Sequence, residues 1–214
     1  MRIGPSIRRL LGARLARRVG GIYRAIFVDL AKEATAIAAA IPLHAHVLDV
    51  GGGDGEPLNH LLAIRADLRV TTIDPGPMVG QWIERCYETR VTRLPHTSLA
   101  QFLDSGRPDP TVVLIADVLH HVPEAARGPF LSSVRLLLER VPDLRILVKD
   151  VEPGYLRSLL GYWSDLYITG DFHVSPISRE RLARLMEEAM GPMRREDTDL
   201  FDNDRPNYAI AFLR

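Results

Sequence analysis

Strand-like runs alternate with helix-like segments from residue 46 to the end of the chain, and that alternation leaves few folds open. Residues 46–50 form a short apolar run that stops at glycines, as a buried strand does before a turn. Further strands are expected at 68–73, 90–94, 111–116, 144–151, 197–201 and 208–213. Helical spacing runs over 22–41, where Pro42 ends it, and over 58–66, 78–87, 98–103, 124–141 and 178–190. Residues 153–177 are irregular or helical and rich in aromatics. Strands alternating with helices of about ten residues imply a parallel sheet with helices on both faces. The expectation is an α/β fold: a doubly wound seven-stranded sheet, mostly parallel, with an antiparallel C-terminal strand. Residues 1–43 read as an N-terminal helical extension or cap, and 44–214 as the domain proper, with an insert at about 153–177.

At 214 residues the chain can bury one ordinary core. Lys+Arg and Asp+Glu both total 27, so no overall basic field recruits nucleic acid. One cysteine, Cys86, rules out an internal disulfide framework and a Cys-based zinc site and fits a reducing compartment. No apolar run reaches the roughly 18 residues of a membrane span. These features point to a soluble cytoplasmic protein. The charge is uneven, however: residues 1–24 hold seven arginines and no acid. Such a segment could rest on anionic lipid, act as a transit peptide, dock on its own domain, or serve as an arm in a homodimer.

In an open α/β sheet, ligands bind beyond the C-terminal ends of the strands, near the point where strand order reverses. The first strand here runs into Asp49-Val50-Gly51-Gly52-Gly53-Asp54-Gly55. Glycines at alternate positions allow positive φ and let a ligand lie against the backbone. Asp74, in Thr-Ile-Asp-Pro at the end of the second strand, can accept hydrogen bonds from two vicinal ribose hydroxyls. A dinucleotide fingerprint, G-x-G-x-x-G, fails: the third position is Glu56 counted from Gly51 and Leu58 counted from Gly53. Asp49, Asp54 and Glu56 suit a ligand without phosphates that carries positive charge.

The sequence resembles the class I S-adenosylmethionine-dependent methyltransferases. The match rests on His46-Val-Leu-Asp-Val-Gly-Gly-Gly-Asp-Gly55, Thr72-Ile-Asp-Pro75 and Ala116-Asp-Val-Leu-His-His-Val122. It implies a Rossmann-like methyltransferase fold and S-adenosylmethionine as cofactor, with S-adenosylhomocysteine as product. It also implies that Asp49, Gly51, Gly52, Gly53 and Gly55 hold the methionine and ribose parts, and that Asp74 binds the ribose hydroxyls. Pro75 and Met78 would line the adenine, and Asp117 would face the methionine amino group. Many members place an acid after the third strand to meet the adenine amine. This chain has Leu94-Pro-His-Thr-Ser-Leu-Ala there, so Ser98 or backbone groups must substitute.

Methyl transfer from a sulfonium needs a nucleophile held about 3 Å from the methyl carbon and water kept out. If the acceptor is a hydroxyl or a protonated amine, a histidine base helps near neutral pH. His120 and His121 follow the fourth strand, in a segment that resembles the V-L-H-D-W segment of small-molecule O-methyltransferases, with His121 in place of its aspartate. His120 is the first candidate base, and His121 and His173 are further ones. A metal reading of Asp117, His120 and His121 is weak, since adjacent histidines point in different directions, and no metal is expected. Asp150 is expected to pair with Lys149 or to line the pocket floor.

Acceptor specificity should come from outside the shared core: Tyr23 and Phe27 in the N-terminal segment, and Tyr155, Trp163 and Tyr167 in the insert. With no added recognition domain, a small-molecule acceptor, most simply a hydroxyl in a biosynthetic pathway, is preferred to nucleic acid or protein. Alternatives are C- or N-methylation of a lipid or quinone at a membrane surface, and a cofactor-binding but non-catalytic partner subunit.

Overall fold

The computed structural model describes residues 29–156, 158–159, 174–200 and 206–214 of the chain. Helix α1 (Leu30–Ala40) is alanine-rich and capped by Asp29, whose side chain accepts from the Lys32 N–H at 3.1 Å. It stops at Ile41 because Pro42 disfavours helical backbone in the residue before it. The last carbonyls of α1 are then taken by arginines: Arg65 donates to those of Ala38 and Ile41, and Arg145 to that of Ala40. The expected helix at 22–41 is thus present in its second half; residues 22–28 lie outside the described residues.

Seven strands follow in the expected order: β1 (His46–Val50), β2 (Arg69–Asp74), β3 (Val91–Pro95), β4 (Val112–Ala116), β5 (Arg145–Val151), β6 (Arg194–Asp199) and β7 (Asn207–Leu213). Between them lie α2 (Glu56–Ile64), α3 (Leu99–Asp104), α4 (Glu124–Arg140) and α5 (Arg179–Met190). The sheet order is β3-β2-β1-β4-β5-β7-β6, and β7 alone runs against its neighbours β5 and β6. Strand order reverses between β1 and β4, which opens a crevice at their C-terminal ends.

Side-chain alternation divides the core. Leu48, Val113, Ile115, Ile146 and Val148 point to the face covered by α3, α4 and α5. Val47, Val112, Leu114 and Leu147 point to the face covered by α1 and α2. Each such fully buried aliphatic side chain contributes about 1.5–3 kcal/mol.

Two expectations are corrected. Residues 78–87 do not form a helix: 78–84 are turns, and a 3-10 turn spans Arg85–Arg90. Part of the backbone there bonds to the glycine loop, with Gly80 N–H donating to Gly53 O (2.8 Å) and Trp82 N–H to Asp54 O (2.9 Å). Asn59 of α2 completes the tie, donating to Trp82 O and accepting from Glu84 N–H. The sixth strand begins at Arg194 rather than 197. It is an edge strand of charged residues, and its backbone register against β7, not an apolar pattern, sets its bounds.

Candidate active site

The glycine loop is fixed from both sides. The N–H groups of Gly51 and Gly52 both donate to Ile73 O, at 2.8 and 3.2 Å, so the loop leaves β1 folded against the end of β2. Gly52 must lack a side chain because a Cβ there would lie 1.9 Å from Thr72 Oγ1 and 2.1 Å from Asp49 Oδ2. Gly53 is different: at φ 51°, an added Cβ would meet nothing closer than 3.9 Å, so its open side is the crevice itself. Gly55 starts α2 in the left-handed region.

Two aspartates brace this loop. Asp49 is buried and accepts a 2.7 Å hydrogen bond from Thr72 Oγ1. Burial pushes its carboxyl up to about 6, against the Thr72 hydrogen bond and with help from the nearby Asp74 charge. Asp74 accepts from Gly53 N–H with one oxygen (3.1 Å) and from Gly76 N–H with the other (2.6 Å). Each oxygen keeps a second lone pair for a ligand hydroxyl.

The crevice is a cavity of about 420 Å³ between the loop, the end of β4 and helix α1. Five carboxylates line it: Glu33, Asp49, Asp54, Asp74 and Asp117. Asp117 adopts φ 56°, a left-handed conformation uncommon for a non-glycine residue. Its N–H donates to Lys149 O, and Lys149 Nζ returns two hydrogen bonds to its carboxylate at 2.8 and 2.7 Å. The same ammonium lies 2.9 Å from Glu33 Oε1 of α1. Burial alone would push Lys149 down, but Asp117 and Glu33 outweigh it and hold the ammonium above its ordinary value. Burial raises Glu33 to about 7 in spite of Lys149.

Behind this group, His120 sits in a 3-10 turn (Leu119–His121) with Nδ1 2.6 Å from Oδ1 of the fully buried Asp150. His120 O accepts from Ser175 N–H, and buried Arg127 donates to both Val122 O and Ser175 O. That guanidinium pins the histidine turn to the segment at 174–178. His121 packs on His120, ring centroids 4.1 Å apart, and faces the cavity. Asp150 neither pairs with Lys149 nor lines the cavity, the two places expected for it. Neighbours on a strand point to opposite faces, which sends Lys149 toward α1 and Asp150 toward His120.

Of the residues singled out from sequence, Asp49, Gly51, Gly52, Gly53, Asp74, Asp117 and His121 come together around the cavity. Gly55 lies beneath it, where a Cβ would come 2.8 Å from Gly80 Cα. His120 is buried behind the lining, with Asp150. Pro75, Met78 and Ser98 are outside the lining: Pro75 and Met78 are exposed, and Ser98 caps α3, its hydroxyl accepting from Gln101 N–H. Tyr155 is exposed on the surface. Tyr23, Phe27, Trp163, Tyr167 and His173 lie outside the described residues. Sequence reasoning missed Glu33, Thr72 and Lys149 as site residues. A lysine directly after the apolar run 146–148 of a strand was the available signal for Lys149.

Asp117, His120 and Asp150 bring ligand-type atoms within 4.8 Å of one another. Lys149 donates to both Asp117 oxygens and His120 Nδ1 lies 2.6 Å from Asp150 Oδ1, so each of the three already has a partner within the protein.

A family model described as a methyltransferase domain matches residues 23–189. No curated protein matches the chain. Among solved structures, human N-acetylserotonin methyltransferase in complex with S-adenosylmethionine is 18% identical, with a TM-score of 0.63 over 85% of this chain and 51% of its own. An O-methyltransferase family protein from Burkholderia thailandensis is 15% identical, with a TM-score of 0.68 over 96% of this chain and 61% of its own. The 1,6-didemethyltoxoflavin-N1-methyltransferase of Burkholderia thailandensis, solved with 1,6-didemethyltoxoflavin and S-adenosylhomocysteine bound, is 18% identical, with a TM-score of 0.61 over 86% of this chain and 76% of its own. The chain spans 51% and 61% of the first two. At these identities the likeness is one of fold.

Proposed function

The chain belongs to the methyltransferase-domain family, and from that premise we propose that it transfers a methyl group from S-adenosylmethionine to the hydroxyl oxygen of a small-molecule acceptor. When bound, that cofactor supplies a sulfonium methyl for in-line displacement. The residues present fit it: the open backbone at Gly53 admits a close ligand, Asp74 offers two oxygens to a ribose diol, and an acid-lined cavity suits a cation. Five carboxylates also repel a polyanion, which favours a small acceptor over nucleic acid.

The observation that carries the choice of a hydroxyl is the His120–Asp150 pair. Asp150 beside Nδ1 orients the ring and favours its protonated form, and Nε2 is the nitrogen we assign to receive the hydroxyl proton. His121, on the cavity wall, is the second candidate base. The test is the release of S-adenosylhomocysteine with a panel of phenolic and polyketide-like acceptors. His120→Asn and Asp150→Asn should each lower kcat by about 100-fold or more while cofactor affinity holds. Full activity in His120→Asn would overturn the assignment.

The N1-methyltransferase among the similar folds favours nitrogen as the second reading, which product analysis separates. We place the protein in the cytoplasm. Deleting residues 1–20 tests the arginine-rich segment, with loss of liposome binding marking a membrane contact and a shift to monomer marking a dimer arm.

A further inference from the structure

Helix α1 brings one acid into the cavity, and that acid has an unusual companion. Lys149 is 1% exposed; its ammonium donates to the two Asp117 oxygens at 2.8 and 2.7 Å and lies 2.9 Å from Glu33 Oε1, a buried oxygen that takes no hydrogen bond among the described residues. It is buried outside the cavity lining, so it does not itself meet a ligand there. Both of its partners line the cavity, and a carboxylate offers about four lone-pair sites, so each keeps acceptor capacity toward the open side. Two carboxylates against one ammonium leave a single negative charge, one that a further cation of similar size would complement.

Anchorage of α1 does not explain this arrangement. Arg65 and Arg145 already hold the helix by its C-terminal carbonyls, and a buried carboxylate adds a desolvation cost that an alanine would not.

We propose that Glu33 is a second ligand, with Asp117, for the ammonium of the cofactor's methionine moiety, and that Lys149 is the positioning residue that holds the two carboxylates across from each other. The inference rests on the cofactor reading above. It makes α1, which lies outside the glycine loop, part of the cofactor site. It also assigns Lys149 a role without contact to any ligand: its buried charge keeps two like charges close enough to share one cation.

The experiment is calorimetric titration of S-adenosylmethionine, S-adenosylhomocysteine and 5′-methylthioadenosine into the wild type, Glu33→Gln and Lys149→Met. Methylthioadenosine keeps the adenosine and sulfur but lacks the amino-acid part, so it reads the rest of the cavity alone. Glu33→Gln keeps the shape of the side chain and removes its charge. It should weaken both amino-acid-bearing ligands by about tenfold or more, the scale of one charge-assisted hydrogen bond, and leave methylthioadenosine within about twofold. Lys149→Met should do the same where it folds. Unchanged affinity in Glu33→Gln overturns the proposal, as does an equal loss of methylthioadenosine, which would mark a packing effect on the whole cavity. A folded wild type that binds none of the three ligands removes the cofactor reading itself, and this inference with it.

Discussion

Thr72→Val removes one hydroxyl and almost no volume, and it isolates the electrostatics of the buried Asp49. Thr72 Oγ1 donates to Asp49 Oδ2 at 2.7 Å, with Thr72 fully buried. Burial has already carried that carboxyl from an ordinary value near 3.8 to about 6. Because the folded-state value is raised, the cost appears as pH rises. Below about pH 4 the group is protonated in both folded and unfolded chains. Above about 6 it is ionised in both, and the ligand-free fold carries a penalty of about 3 kcal/mol. A hydrogen bond to a charged group is worth roughly 1.5–3 kcal/mol, so its loss should raise the carboxyl by a further one to two pH units, to about 7–8.

A cationic cofactor favours the ionised carboxylate. Wild-type affinity for S-adenosylmethionine should therefore climb with pH through about 6, and that of Thr72→Val should keep climbing to about 8. Glu33, near 7, adds a rise common to both proteins, so the difference between the curves reports Asp49. Calorimetry from pH 5 to 8.5 in two buffers of different ionisation enthalpy counts the protons released. Thermal melting above pH 8 should show a loss of roughly 4–10 °C. Superimposable pH curves, or a midpoint that moves down, would refute the reasoning.

Three other outcomes are expected. Gly53→Ala should cost about 1–2 kcal/mol of stability for its left-handed φ, yet weaken the cofactor strongly because the new methyl enters the cavity; chemical denaturation and titration separate the two effects. Gly55→Ala, which meets Gly80 backbone at 2.8 Å as well as holding φ 82°, should lose more stability than Gly53→Ala in the same denaturation series. Arg127→Met frees Val122 O and Ser175 O; kcat should drop by about tenfold with cofactor affinity unchanged, and equal losses in both would show that the guanidinium merely supports the fold.

What sequence could reveal followed the range of the interactions. Strands β1, β4 and β5 each carry a run of buried aliphatic residues, and their positions follow from burial on both faces, so they were legible. The helix expected over 78–87 was not, because Gly80 and Trp82 give their N–H groups to Gly53 and Asp54, partners nearly thirty residues away. β6 has no apolar pattern to read and takes its limits from backbone pairing with β7. Within the site, the loop glycines, Asp49 and Asp74 were legible because a local turn demands them. Glu33 and Lys149 were not, since a contact between residues on α1 and β5 has no local signature. The pairing of His120 with Asp150 likewise appears only once the pleat separates Asp150 from Lys149.

That pleat has a consequence for which changes the site can survive. In the proposed function, two adjacent residues at the end of β5 serve the two halves of the chemistry, Lys149 the cofactor side and Asp150 the base side. Their assignment depends on the register that pairs Lys149 with Ala209 and Asp150 with Tyr208. One residue deleted in β5 ahead of position 149 would set Asp150 in the place of Lys149 and Val151 in that of Asp150, and one inserted there would set Lys149 in the place of Asp150. Single substitutions here damage one half at a time. A single frame error within the strand disables both at once.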